Sequence, residues 1–129
     1  VRDWIYVDDH CRGIWLAYEK GRSGESYNLG ARNEQENITV VQSILDALGK
    51  PHSLIKYVTD RLGHDRRYAI DPTRAEIELG WRPQVTWEDG LANTINWYQN
   101  NQPWVEHIRN GEYRNYYKAM YGKSLESSV

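Results

Sequence analysis

The stretch best suited to chemistry is Asp60-Arg61-Leu62-Gly63-His64-Asp65-Arg66-Arg67-Tyr68, three arginines and a histidine in one short run. Arginine presents a planar fork of donors that matches phosphate oxygens, and an imidazole can donate to the same group or to a sugar hydroxyl. The same run can instead close on itself at the surface, with Asp60 and Asp65 pairing the arginines. Both readings stay open on chemistry alone, because loops carry function more often than their share of sequence. Other reactive residue types are isolated. His10, His52, His64 and His107 are scattered, and with the single Cys11 they offer no metal-ligand spacing. No Gly-rich phosphate fingerprint, Walker-type lysine loop or Tyr-x-x-x-Lys pair occurs in the chain. Asp8-Asp9 reads as a capping and first-turn pair that compensates a helix dipole. Cys11 reads as a packing residue on that helix, and His10 and His107 as surface or half-buried polar residues.

The elements that must position the loop follow from periodicity and punctuation. Trp4-Ile5-Tyr6-Val7 predicts a short strand. Asp8 is then expected to cap a helix with Ile14, Trp15 and Tyr18 at helical spacing, stopped by Lys20 and Gly21. Ser26-Tyr27-Asn28-Leu29 predicts a second strand ended by Gly30, followed by a polar loop to Asn37. Thr39 is expected to cap a helix whose apolar positions are Val40, Val41, Ile44, Leu45 and Leu48. Leu54 to Val58 alternates as a third strand would. Asp71-Pro72 predicts an N-cap and a first helical position, with the helix ending near Leu79 before Gly80. Thr86 opens a last clear helix, with Glu88 and Asp89 in its first turn and Leu91, Ile95 and Tyr98 on one face. The tail beyond Trp104 is aromatic-rich and expected to be helical in part, and Ser127-Ser128-Val129 is expected to fray. The order is an α/β alternation with a thin sheet, better satisfied by strands from another segment.

Composition narrows the function classes. The chain has 129 residues, a formal net charge of −2 and interleaved acids and bases. Nothing in that balance suggests a general nucleic-acid or membrane surface, so an anion site must be local, built from a few placed arginines. No run is long and apolar enough to span a bilayer as a helix. One cysteine fits a reducing cytoplasm. Phenylalanine is absent, while there are 6 tryptophans and 10 tyrosines. The chain opens without Met in a β-prone run, and the expectation is a piece of a larger protein.

Four segments carry a resemblance: VRDWIYVDDH, GESYNLG, YVTDRLGHDRRYAIDPTRAEIELGWRP and WEDGLANTINWY. Together they resemble the dTDP-glucose 4,6-dehydratases, extended short-chain dehydrogenase/reductase proteins, in register over essentially the whole chain. The first motif is shared more loosely across nucleotide-sugar enzymes, whereas D-R-x-G-H-D-R-R-Y-A-I-D is characteristic of the dehydratase branch. The implied fold is α/β: the carboxy-terminal portion of an NAD-binding Rossmann-like fold, including the small substrate-binding domain, with residues 1–30 packing on an absent amino-terminal NAD domain. The implied reaction moves hydride from the glucose C4 to NAD, eliminates water across C5 and C6, and returns hydride to C6. The implied ligand is dTDP-glucose, and the implied assembly is a homodimer.

The resemblance assigns roles by position. Arg2 meets the diphosphate, Asn37 lies near the nucleotide, Arg61 and His64 hold the diphosphate side, and Tyr121 helps close over the ligand. The family's Gly-rich cofactor loop, Tyr-x-x-x-Lys pair and Asp/Glu dehydration pair belong to upstream sequence, so NAD is expected to be bound by that missing region. The fragment alone is expected to be inactive. Leu62 stands where proline is common, which loosens the loop slightly. Two alternatives remain: a non-catalytic nucleotide-sugar-binding module, or an epimerase or decarboxylase of the same superfamily.

Overall fold

A computed structural model of the chain describes residues 1–59 and 62–111. Two units are compact in themselves, Val1–Asn93 and Thr94–Val129. In the first, β1 (Arg2–Asp3) pairs antiparallel with β2 (Glu34–Gln35), Arg2 opposite Gln35 and Asp3 opposite Glu34. Helices α1 (Val7–Lys20), α2 (Asn37–Ala47) and α3 (Thr73–Leu79) follow, with a 3₁₀ turn at His52–Leu54. Helix α4 (Trp87–Asn100) runs from the first unit into the second, which also holds α5 (Gln102–Arg109).

The core of the first unit is where α3 and the turn after it meet α1. Ala75, Leu79 and Trp81 are fully buried, and Ile5, Leu16, Ala17, Tyr27 and Leu29 pack on them. Gly13 makes this approach possible. A Cβ there would lie 2.7 Å from Leu29 and 2.9 Å from the Trp81 indole nitrogen. The indole N–H donates to the Asp9 carbonyl at 2.9 Å.

The expected helices are present, but several begin elsewhere than the sequence suggests. The N-cap of α1 is Tyr6, so Asp8 and Asp9 both lie in the first turn, where the dipole favours acids. The carboxylate of Asp9 turns inward instead of capping: it accepts from Gln84 N–H (2.8 Å), Val85 N–H (2.9 Å) and Arg12 (2.8 Å). Helix α2 starts at Asn37 after Glu36, not at Thr39, whose carbonyl accepts the Ser43 hydroxyl. Helix α3 starts one residue later than expected. Asp71 caps from outside, accepting both the N–H and the hydroxyl of Thr73. Gly80, with φ at +67°, ends α3 in the left-handed conformation glycine tolerates best. Thr86 opens α4 as expected: its oxygen accepts the Asp89 N–H and its hydroxyl donates to the Asp89 carboxylate.

The three expected strands are corrected. None of Trp4–Val7, Ser26–Leu29 or Leu54–Val58 forms a ladder among the described residues, and the pairing lies instead at Arg2–Asp3 and Glu34–Gln35. Strand propensity expresses itself only where a neighbour takes the backbone groups along the segment; among the described residues Trp4 N–H alone continues the pairing, to the Asn33 carbonyl at 3.0 Å. Within the second unit, Trp97, Tyr98 and Trp104 stack edge to face with centroids 5.0 to 6.5 Å apart, in keeping with the expected helicity past Trp104. The rest of that tail, from residue 112, lies outside the described residues.

An exposed charge cluster holds the loop after α1 against α3. Glu78 accepts from the Tyr27 hydroxyl (2.9 Å), Arg22 (2.6 Å) and Arg74 (3.2 Å), while Arg74 also pairs with Glu25 (2.8 Å). The Tyr27 hydroxyl, and then the two guanidiniums, hold the Glu78 carboxyl below its ordinary range; the Thr73 hydroxyl and N–H do the same for Asp71. A carboxyl with a lowered pKa in the folded state stabilises above the unfolded value and loses that contribution as pH falls through the folded one. Melting temperature should therefore drop on acidification through and below about pH 4.3, the unperturbed glutamate value. Glu78→Gln should flatten part of that slope in a pH series of thermal melts, and an unchanged slope would contradict this account of the cluster.

Candidate functional site

The site is built where the chain start meets the arginine-rich loop. The Val1 nitrogen donates to the Arg66 carbonyl (2.8 Å) and Tyr68 N–H donates to the Val1 carbonyl (3.1 Å), so residues 66–68 run alongside the start of β1. On the other side of β1, Asp3 clamps the approach to β2. Its carboxylate accepts the N–H groups of Asn33 (2.9 Å) and Arg32 (3.3 Å). Arg32 adopts φ of +53°, a left-handed turn that Asp3 helps hold, and its guanidinium bonds Thr73 (3.0 Å) and Glu76 (3.1 Å) on α3. Gly30 lies under this turn, where a Cβ would meet the Asp3 carboxylate at 2.6 Å. Arg2 is thus flanked by residues 66–68, bonded to Val1 through backbone, and by β2, where Gln35 is its partner.

Two of the sequence-predicted residues come together. An Arg2 Nη2 approaches the His64 Nε2 at 2.7 Å and donates to the Asp65 carbonyl at 3.1 Å, while Nη1 donates to the Val1 carbonyl at 2.7 Å. Arginine has no lone pair to accept with, so the His64 Nε2 is the acceptor and the ring proton lies on Nδ1. The Tyr68 ring covers the guanidinium at 4.6 Å. These contacts use three of the five guanidinium N–H donors. Among the described residues no carboxylate lies within ion-pair distance of Arg2, whereas Arg12, Arg22, Arg32, Arg67 and Arg74 all pair with acids. The charge of Arg2 is held by carbonyls, an imidazole and an aromatic face, none of which cancels it.

The other expected residues fare differently. Asn37 is exposed in the first turn of α2, two residues along the chain from Gln35, the β-partner of Arg2; no hydrogen bond joins it to Arg2 or His64. Arg61 and Tyr121 lie outside the described residues. Among the described residues the loop does not close on itself through Asp65: Arg67 is tied to Glu34 of β2, and Asp60 and Arg61 lie outside the described residues. The carboxylate of Asp65 goes instead to the Tyr68 hydroxyl. Sequence reasoning missed Tyr68 and Asp3 as site-building residues. Both lie inside the quoted motifs, but nothing in their type announces a partner at distant sequence positions. A separate surface depression of about 410 Å³, lined by Arg12, Leu16, Gly80, Trp81, Arg82 and Gln84, contains none of the expected residues. Among the described residues no cluster of His, Cys, Asp and Glu could hold a metal ion, and no helix is long and apolar enough to cross a membrane.

The family model described as GDP-mannose 4,6 dehydratase matches residues 1–94, which contain this whole arrangement. The chain belongs to the GDP-mannose 4,6 dehydratase family. Family members with characterised names are close in sequence. A dTDP-glucose 4,6-dehydratase from Xanthomonas campestris pv. campestris is 51% identical over 123 residues, 88% of this chain and 35% of that protein. One from Shigella flexneri is 44% identical over 128 residues, 94% of this chain and 36% of that protein. The chain spans about a third of the length of these curated relatives. Among solved structures, dTDP-glucose 4,6-dehydratase from Bacillus anthracis in complex with NAD is 48% identical, with TM-score 0.73, covering 79% of this chain and 32% of that one. DesIV, a dTDP-glucose 4,6-dehydratase from Streptomyces venezuelae with NAD and TYD bound, is 47% identical with TM-score 0.75 over the same shares. The Bordetella bronchiseptica enzyme WbmF in complex with NAD⁺ and UDP is 27% identical, with TM-score 0.70, over 88% of this chain and 34% of that one. The fold is accordingly part of the extended short-chain dehydrogenase α/β fold.

Proposed function

We propose that this chain is the carboxy-terminal, nucleotide-sugar-gripping part of a dTDP-glucose 4,6-dehydratase, which converts dTDP-glucose to dTDP-4-keto-6-deoxyglucose and water. The observation that carries the reading is Arg2, a guanidinium that meets His64 at 2.7 Å and has no carboxylate at ion-pair distance among the described residues, inside the segment matched by the family model. A diphosphate needs several charge-assisted donors from different segments. Arg2 and His64 supply two, Arg61 a third, Asn37 lies toward the nucleotide and Tyr121 closes over the ligand. Anchoring at the diphosphate orients the hexose for chemistry performed elsewhere.

NAD takes up and returns a hydride in such an enzyme. This chain's residues do not suit it: no Gly-rich loop and no Tyr-x-x-x-Lys pair occurs in them. It is bound by the amino-terminal region of the complete protein, and the fragment alone is inactive. Residues 1–30 pack on that region. The outward stripe of α1 supports this, since Val7, Ile14, Trp15 and Tyr18 are between 54 and 82% exposed, more apolar surface than one helix face ordinarily leaves open. The complete enzyme is a cytoplasmic homodimer serving deoxysugar synthesis such as that of rhamnose.

Turnover of dTDP-glucose, UDP-sugars and GDP-sugars by the complete protein tests the assignment. Dehydration of dTDP-glucose with clear preference over the other two is expected. Epimerisation or decarboxylation of a UDP- or GDP-sugar, with dTDP-glucose untouched, would move the chain to another branch. Binding of nucleotide sugar without turnover would favour a non-catalytic module.

A further inference from the structure

Tyr68 meets the Arg2 guanidinium with its ring and bonds both residues whose carbonyls hold that guanidinium. Its ring covers the guanidinium plane at 4.6 Å. Its N–H donates to the Val1 carbonyl, the oxygen that also accepts from Arg2 Nη1. Its hydroxyl is tied to the carboxylate of Asp65, whose carbonyl accepts from Arg2 Nη2. An arginine side chain is long and rotamer-rich, and fixing it ahead of binding removes an ordering cost that the ligand would otherwise bear. A carboxylate could fix it too, but would cancel the charge needed for an anion. An aromatic face fixes the plane and leaves the charge available.

We propose that Tyr68 is a positioning residue for diphosphate recognition, acting through Arg2 by stacking on its guanidinium and bracketing the two carbonyls that hold it. The proposal rests on the reading of Arg2 as a diphosphate ligand. The ring is the working part and the hydroxyl a minor tether, because the ring alone meets the charged group.

The test is calorimetric titration of the complete protein with dTDP, for wild type, Tyr68→Phe, Tyr68→Trp, Tyr68→Leu, Arg2→Ala and the Arg2→Ala/Tyr68→Leu double variant. Phe and Trp keep an aromatic face and should bind within about twofold of wild type, while Leu should bind about three- to fivefold more weakly, the effect of losing a partly exposed cation–π contact. In the Arg2→Ala background, Tyr68→Leu should have no further effect, and KM for dTDP-glucose should rise in Tyr68→Leu with kcat little changed. A merely structural tyrosine would instead weaken binding equally in both backgrounds, and that outcome overturns the proposal. Wild-type affinity in Tyr68→Leu, with Arg2→Ala impaired, overturns it while leaving the site reading intact. Wild-type affinity in Arg2→Ala removes both together. Thermal melts of Tyr68→Phe and Tyr68→Trp separate loss of fold from loss of stacking: a weak but fully folded Phe variant would also reject the ring as the working part.

Discussion

Asp9→Ala in the complete protein is expected to remove about 3–5 kcal/mol of folding stability, the range for deleting one member of a buried charged cluster. The Asp9 side chain is only 4% exposed. Its carboxylate accepts from two backbone donors, Gln84 N–H and Val85 N–H, and it also holds Arg12. Alanine leaves all three donors without their partner in a partly water-free site, and a lost hydrogen bond to a charged group costs about 1.5–3 kcal/mol by itself. The losses are not additive, because Arg12 keeps the Arg82 carbonyl and part of its hydration. Asp9→Asn should lose roughly half as much, since the amide oxygen can still accept while its NH₂ faces another donor. Denaturant unfolding would measure both. A loss below about 1 kcal/mol for alanine, the level of an ordinary surface substitution, would mean that solvent already satisfies these groups. The same substitution should not alter dTDP affinity directly, because Asp9 secures the turn at residues 81–85 and not the loop at residues 62–68.

Asp9 also illustrates what the sequence conceals. An acidic pair ahead of an amphipathic run has the composition of a cap, and the dipole argument for the first turn is sound for both residues. Their fates differ because neighbours on a helix point about 100° apart, and the face of α1 that packs on the turn at residues 81–85 carries Asp9 and not Asp8. A single residue of helix phase is about 100° of rotation, which periodicity in a short helix does not fix. Strands were misread for a related reason. Leu54–Val58 has the alternation of a strand, yet a ladder depends on a neighbour that may lie anywhere in a protein, and its own residues carry no record of it.

Local punctuation was more legible. Gly80 at a left-handed C-cap and the Thr86/Asp89 box need only residues within one turn of each other, so their types suffice. The site lies between these extremes. Arginine and histidine at positions 2 and 64 were recognisable as anion-binding types and, through the resemblance, as one site. Their meeting rests on the Val1–Arg66 and Val1–Tyr68 backbone bonds, which no residue type predicts. The role of Glu34 in occupying Arg67 was equally invisible before the β2 register was known.

Arg2→Ala in the complete enzyme is expected to weaken dTDP binding by about 1.5–3 kcal/mol, the range for hydrogen bonds to a charged group. That is roughly a 10- to 150-fold rise in Kd. The argument is one of competition for the guanidinium. Three of its donors already serve neutral acceptors, two remain, and none faces a carboxylate among the described residues. An arriving diphosphate therefore meets a half-buried positive group whose orientation is already fixed. Wherever the ligand displaces a carbonyl or the imidazole from an N–H, it replaces a neutral acceptor by a charged one, and charge-assisted bonds are about twice as strong. Arg2→Lys keeps the charge but loses the planar fork and much of the stacking on Tyr68, so it should fall between wild type and alanine. Raising salt should narrow the gap between wild type and alanine, since the difference is mainly electrostatic. Titrations at two ionic strengths would report both effects. Equal dTDP affinity in wild type and Arg2→Ala would mean that the guanidinium is a strut joining β1 to the loop, with the diphosphate held by other groups.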